Sequence, residues 1–322
     1  MAVTTPRLSS APYPDVDSLF NSLLPAPDAI FGLRFLLNRH VLLLLSAAIL
    51  WSLGGVLIKS IDWTPIAIAG SRSLIAIVVI GLAMPAVFSK ISWSALPGAL
   101  AYAGTVLLFV IATKLTSAAN AIFLQYTAPI YIAIISPWIL HERTKPLDWL
   151  LILVALCGVA LFFIDQLSFE GVSGVCAALC SGISFAWLTV LMRRQRNESP
   201  ETIVLLGNVL TFLFALPWML PVASLERNGV LILTLGVVQL AIPYLLYSRA
   251  IKHIRALDAA IISIIEPILN PVWVILIKGE HASRWSLIGG AIVLTTSLLR
   301  SFLSSRDKQA GGIFPGRMPI PD

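Results

Sequence analysis

Charge is what this sequence has least of. Only 12% of its 322 residues are Asp, Glu, Lys or Arg, while 58% are hydrophobic. A soluble domain carries about a quarter charged residues, so half that supply cannot cover a globule of this length. The shortage excludes a soluble enzyme, a disordered chain and a secreted disulfide module. Cysteine is scarce as well. Cys157, Cys176 and Cys180 all fall in apolar runs with no partner cluster, which argues against a metal site and for small buried thiols. The four histidines, His40, His141, His253 and His281, sit at the ends of apolar segments. His141-Glu142 runs on into Arg143-Thr144-Lys145 and so misses the H-E-x-x-H zinc pattern. Neither a G-x-S-x-G elbow nor a phosphate-cradling glycine loop occurs, so no catalytic residue, metal or cofactor is expected. Asn197-Glu198-Ser199 fits a glycosylation sequon, but it lies on the side expected to be cytoplasmic and reads as chance. The net charge of +6 is scattered rather than gathered into a patch. It points to membrane topology and not to nucleic acid.

What the chain does have is apolar length. A helix needs about 20 apolar residues to cross roughly 30 Å of hydrocarbon. Cutting at polar and proline-marked breaks gives ten such segments, near 41–60, 65–88, 93–113, 117–140, 147–164, 172–192, 202–223, 230–251, 257–277 and 286–303. The expected fold class is an all-α polytopic membrane protein with ten transmembrane helices. Residues 1–39 and 304–322 read as tails, with short amphipathic helices possible at 18–24 and 29–37. With an inside N-terminus, fifteen of the 22 Lys and Arg lie at inner ends, five at outer ends, and Arg72 and Arg249 within spans. The excess of basic residues puts both termini on the cytoplasmic side.

The sequence also matches itself. At an offset of 138 residues, Gly98 meets Gly236, Ala103 meets Ala241 and Leu107-Leu108 meets Leu245-Leu246. Ala112, Lys114, Ala118 and Ala121 meet Ala250, Lys252, Ala256 and Ala259. Pro129-Ile130, Ile139 and Glu142 meet Pro267-Ile268, Ile277 and Glu280, making 12 identities over 98–142. The chain therefore reads as two five-helix units, 40–164 and 171–303. Five is odd, so the second unit starts on the opposite side of the bilayer, which generates an inverted repeat about an axis in the membrane plane.

These features together resemble the drug/metabolite transporter superfamily, and within it the bacterial family with two EamA domains. The likeness rests on Ala48-Ile49-Leu50-Trp51-Ser52, on Arg72 in the second span, and on Ala112-x-Lys114-x-x-Ser117-Ala118-x-x-Ala121 leading to Pro129. A glutamate closes the fourth span, and the second copy repeats the series through Ala256, Pro267 and Glu280. It covers residues 41–303. The resemblance implies ten helices, a central cavity between the halves, and export of amino acids or similar metabolites from a bacterial inner membrane. One departure is that Gly207-Asn208 stands where the first copy has Arg72-Ser73, so the halves are not equivalent.

Polar residues deep in a span should face the bundle interior. Ser263, Glu266 and Asn270 share one helix face at i, i+3 and i+7. Pro267 and Pro271 on that helix free backbone carbonyls and permit a kink. The repeat maps this stripe onto the fourth span, where Gln125, Tyr126 and Pro129 lie. Two kinked, equivalent helices meeting at mid-membrane mark the expected binding site, with Pro129 and Pro267 as hinges. Gln239, Tyr244 and Tyr247 on the eighth span, together with Tyr102, Trp51, Phe185 and Trp187, are further candidates to line it. Arg72 would hold a substrate carboxylate and Glu266 an amine or a proton; the alternative is that these two charges pair with each other or with helix ends. Gly174, Ala178, Gly182 and Ala186, every fourth residue of the sixth span, read as a packing stripe. Arg249, Lys252, Arg255 and Asp258 read as anchors at the cytoplasmic rim. The expected partners are a small-molecule substrate and the lipid bilayer, with the protein a monomer or a homodimer. Cationic drug efflux and a non-transporting scaffold are the competing functions.

Overall fold

The computed structural model describes residues 39–162, 164, 171–219, 225–269 and 284–311. Among these residues there are helices, turns and loops and no strand. Seven helices are long and apolar enough to cross a membrane: α1 Arg39–Ser60, α2 Pro65–Ala83, α3 Trp93–Leu115, α4 Ala118–Ile139, α6 Val172–Arg194, α7 Pro200–Trp218 and α8 Glu226–Ile251. Between them lies the shorter apolar helix α5, Pro146–Phe162. α9, Ala256–Ser263, resumes after a turn at Ile264 and is described to residue 269. α10 runs Arg284–Gly311, so helix continues eight residues into the stretch expected to be tail. Asn270, Pro271, Glu280 and the amphipathic segments foreseen within 1–38 lie outside the described residues.

Local chemistry sets the helix starts. Pro65, Pro146 and Pro200 occupy first turns, where a missing N–H costs nothing. The Thr64 hydroxyl accepts from the Ala67 amide, and the Ser117 hydroxyl from the Asn120 amide, as N-caps do. α4 ends with His141 at φ 56°, the left-handed stop that closes many helices. Gly171, at φ 75°, precedes α6, and a Cβ there would stand 2.2 Å from the Leu115 carbonyl oxygen; only glycine fits.

Four helices are interrupted at mid-length. α4 turns at Tyr126-Thr127 and α9 at Ile264, one turn ahead of Pro129 and Pro267, which have no N–H to give the carbonyls of Gln125 and Ser263. α8 is π-helical over Leu235–Ala241, ahead of Pro243. α1 breaks at Ser52-Leu53, beside Gly54-Gly55, and the Ser52 hydroxyl donates back to the Ile49 carbonyl. Such kinks have local causes, and prolines, Gly/Ser pairs and π-bulges supply them here.

The packing pairs one half with the other. α3 lies against α6 and α1 against α8; α3 also touches α7, and α2 touches α8. α2 packs on α7, α5 on α10, α4 on α6 and α1 on α9. Large apolar side chains face outward, including Trp93 at 87% exposure and Trp138 at 82%. In water such a surface would drive aggregation, whereas in lipid it is the solvated surface. Cys157, Cys176 and Cys180 belong to that outer surface and are exposed, not buried as expected.

The two ends of the bundle are held differently. At one end Arg193 donates to Glu142 at 2.8 Å and to the Ile251 and Lys252 carbonyls. Lys252 pairs with Glu201. Arg300, 2% exposed, bridges Asp148 of the first half (2.8 Å) and Asp258 of the second. Asp258 is therefore part of a buried ion network rather than a rim anchor. At the other end Lys59 and Lys114 donate to the carbonyls of Thr116 and Ile61. The ion pair bridging the halves there, Arg227–Asp62, is exposed.

Candidate functional site

A cavity opens where the interrupted helices meet. The first half contributes Trp51, Arg72, Thr105, Val106, Phe109, Gln125 and Tyr126; the second contributes Phe185, Gln239, Leu240, Tyr244 and Glu266. Counted at water centres it holds about 30 Å³, room for roughly two waters. A metabolite would need its walls to part.

Arg72 is 1% exposed on α2. Its Nη1 donates to Gln239 Oε1 at 2.9 Å and its Nη2 to the Val106 carbonyl at 3.1 Å, while Nε has no partner. The guanidinium thus ends on neutral oxygens, and Arg72 does not pair with Glu266. Gln239 reaches it across Gly54 of α1, where a Cβ would stand 2.7 Å from the Gln239 amide nitrogen. The π-helical segment of α8 carries this contact. π-Bulges interrupt helices at functional sites often enough to make that placement informative.

Glu266 is 6% exposed on α9, and its carboxyl meets the Tyr126 hydroxyl of α4 at 2.5 Å. The same hydroxyl lies 2.9 Å from the Ser263 carbonyl. Gln125 lines the cavity and donates to the Ser181 hydroxyl, which donates to the Thr105 carbonyl. Trp51 stacks edge-on to Tyr244, centroids 4.9 Å apart, and Tyr244 edge-on to Tyr102 at 4.6 Å.

Eight of the residues expected from sequence therefore gather at the cavity: Trp51, Arg72, Gln125, Tyr126, Phe185, Gln239, Tyr244 and Glu266; Trp187 does not, and is 39% exposed. Three stand one layer behind it. Tyr102 accepts from Asn208 at 2.9 Å, Tyr247 lies 3.0 Å from the Thr189 hydroxyl, and Ser263 contributes its carbonyl while its own hydroxyl has no partner. Asn270 is outside the described residues. Sequence reasoning missed Thr105, Val106, Phe109 and Leu240. Thr105, a polar residue in mid-span, carried a readable signal, whereas the three apolar ones did not. Among the described residues no three His, Cys, Asp or Glu gather as a metal site requires.

A multi-span helical bundle with ionisable groups buried around a cavity is the architecture of a polytopic membrane protein, and the family match makes it a transporter. The EamA-like transporter family model matches residues 38–164 and 172–302; the chain belongs to that family. A transporter of Archaeoglobus fulgidus, named as uncharacterized, is 29% identical over 61% of this chain and 71% of its own length. One from Clostridium kluyveri is 27% identical over 66% and 72%, and YwfM of Bacillus subtilis is 26% identical over 63% and 71%. A crystal structure at 19% identity superposes with a TM-score of 0.71, covering 83% of this chain and 98% of the other, which establishes likeness of fold.

Proposed function

We propose that the chain is a secondary or facilitative transporter that exports amino acids or similar small metabolites by alternating access through this cavity. The architecture we read is ten spans in two inverted five-helix copies, 40–164 and 171–303, with cytoplasmic tails 1–39 and 304–322 in a bacterial inner membrane. Two features support it. Each contact between the halves has a counterpart with the halves exchanged: α3–α6 with α1–α8, α3–α7 with α2–α8, and α4–α6 with α1–α9. The polar links also sort helix ends into two sets. The ends near 142–148, 193–201, 252–258 and 300 join one another, as do those near 59–62, 114–116 and 227. A chain crossing the bilayer ten times would sort them in this way.

The observation that carries the function is the pair of buried ionisable groups, one basic and one acidic. Arg72 and Glu266 come from opposite halves, line one cavity, and each ends on neutral partners. A zwitterion satisfies both at once: its carboxylate takes the guanidinium from Gln239, its amine takes Glu266, and Trp51, Phe185 and Tyr244 face its side chain. A guanidinium–carboxylate pair, ionised on both sides and bidentate, exceeds the guanidinium's bonds to neutral oxygens that it replaces. The functional unit we propose is a monomer or a homodimer with one such cavity in each subunit. The test is flux of radiolabelled amino acids and organic cations in proteoliposomes. Flux of a zwitterionic amino acid that falls at least tenfold in Arg72→Gln supports the reading; unchanged amino-acid flux in that variant contradicts it.

A second reading, efflux of organic cations, is favoured by the engagement of Arg72 with Gln239 and Val106, which leaves Glu266 as the negative pole. Cation flux that survives Arg72→Gln and is lost in Glu266→Gln would select it.

A further inference from the structure

Hydrogen-bond accounting at Glu266 leads to an ion that the cavity binds besides a metabolite. A tyrosine hydroxyl has one hydrogen. The Tyr126 oxygen nevertheless stands within bonding distance of two acceptors, the Ser263 carbonyl at 2.9 Å and Glu266 Oε2 at 2.5 Å. The Ser263 carbonyl has its own need of a donor. Its helical partner would be the N–H of residue 267, and Pro267 has none. If Tyr126 gives its hydrogen to Ser263, the two oxygens 2.5 Å apart face each other through lone pairs unless the carboxyl brings a hydrogen of its own. If Tyr126 gives it to Glu266, a buried carbonyl at the break in α9 is left without a donor, which is costly away from water.

We propose that Glu266 carries a bound proton in this conformation, donating it to the Tyr126 oxygen while the Tyr126 hydroxyl donates to the Ser263 carbonyl. Two hydrogens then satisfy three oxygens, and Glu266, Tyr126 and Ser263 form a proton-binding site. The proposal rests on the transport reading only in naming the proton as the ion the cavity exchanges. Release is a simple ionisation. The carboxyl O–H breaks, the proton passes to water admitted to the cavity, and the electron pair stays on Glu266. The Tyr126 hydroxyl then swings to the carboxylate, and the Ser263 carbonyl loses its donor. Proton occupancy is thereby linked to the stability of the break in α9, one of the two breaks expected to act as hinges.

The groups facing Glu266 are few. α4 presents Tyr126, and α8 presents Tyr244, with Tyr247 behind it. α2 presents Arg72 across the cavity, held by Gln239. α1 and α6 contribute Trp51 and Phe185, which do not titrate. Arg300 of α10 is engaged by Asp148 and Asp258, the latter about two turns along α9.

Infrared spectroscopy of the full chain in lipid reads the proton directly and needs no substrate. At neutral pH the wild type should give a carboxylic-acid C=O band that is lost in Glu266→Gln. In Tyr126→Phe the band should move to higher frequency, because the acid loses its acceptor. The glutamine amide can donate to Tyr126 in place of the acid, so that variant keeps the local geometry. Hydrogen exchange at residues 264–268, corrected for intrinsic rate, should rise in the wild type at the pH where the band vanishes, and should stay flat in Glu266→Gln. A wild-type spectrum without that band at neutral pH would overturn the proposal, as would a band indifferent to Tyr126→Phe. Absence of flux across the amino-acid and cation panel with the band present would instead contradict the transport reading and leave the proton site standing.

Discussion

The break in α4 and the break in α9 make the most instructive pair in the molecule. At the 138-residue offset Tyr126 meets Ile264 and Pro129 meets Pro267, and both helices are interrupted at those matching places. Each proline strips a carbonyl of its donor, Gln125 in one helix and Ser263 in the other. From there the two differ. The Gln125 carbonyl lies against Gly182 of α6, whose missing Cβ would stand 2.9 Å from it. The Ser263 carbonyl instead takes the Tyr126 hydroxyl, with Glu266 beside it. Position 128, the counterpart of Glu266, is alanine, and the counterpart of Asp258 is Asn120, which donates to the Thr116 hydroxyl in the turn just ahead of α4. The same backbone device thus occurs in both helices, while the carboxyl groups at these matched positions sit on α9 alone. A site with one acidic group and one basic group needs that asymmetry.

Several substitutions would break or sharpen the comparison. The largest expected effect is at Arg300, whose loss in Arg300→Leu leaves the buried Asp148 and Asp258 only the longer contacts to Arg255, at 3.5 and 3.8 Å; about 3 kcal/mol of stability should go, read by reversible unfolding in detergent or lipid. Asn120→Ala, at the matching place on α4, should cost only about 1 kcal/mol. Equal losses at the two positions would contradict the claim that α9 is the electrostatically anchored member. Next comes Gly182→Leu, which drives a side chain into the Gln125 and Leu124 carbonyls; overpacking of this kind costs about 1–3 kcal/mol. Tyr126→Phe removes the bridge between the two breaks and should destabilise by about 1 kcal/mol, with a larger consequence for transport than for folding. Smallest is Pro129→Ala, which returns an N–H to α4, where the freed carbonyl already packs on Gly182. Its unfolding midpoint should move less than that of Pro267→Ala, which offers Ser263 a second donor in competition with Tyr126.

Much of this was legible in the sequence for physical reasons. Apolar length marked the spans, because a bilayer fixes how much helix is needed, and proline marked the breaks in α4 and α9, because its missing N–H acts locally. Arg72, Glu266, Tyr126 and Gln239 were each conspicuous as polar groups in apolar surroundings. Their pairing was not readable. Arg72 meets Gln239 across 167 residues of chain and Tyr126 meets Glu266 across 140, and no local pattern encodes such contacts. Nor did composition announce the π-helical turn of α8. The cysteines went astray for a further reason. In lipid both faces of a helix are apolar, so an apolar run does not tell inside from outside. Cys157, Cys176 and Cys180 sit on the outer surface as a result. The ion network around Arg300 also escaped notice, since Asp258 lies near a helix end, where a charge normally needs no partner.

The central claim is that the cavity between the halves opens to each side of the membrane in turn. Thr105→Cys, placed in a background without the three native cysteines, tests it with a membrane-impermeant maleimide applied separately to right-side-out and inside-out vesicles. The account predicts labelling from both sides, each slowed by a transported amino acid, while Leu100→Cys on the outer surface of α3 is reached from neither. Labelling of Thr105→Cys from one side only, indifferent to added substrate, would contradict it.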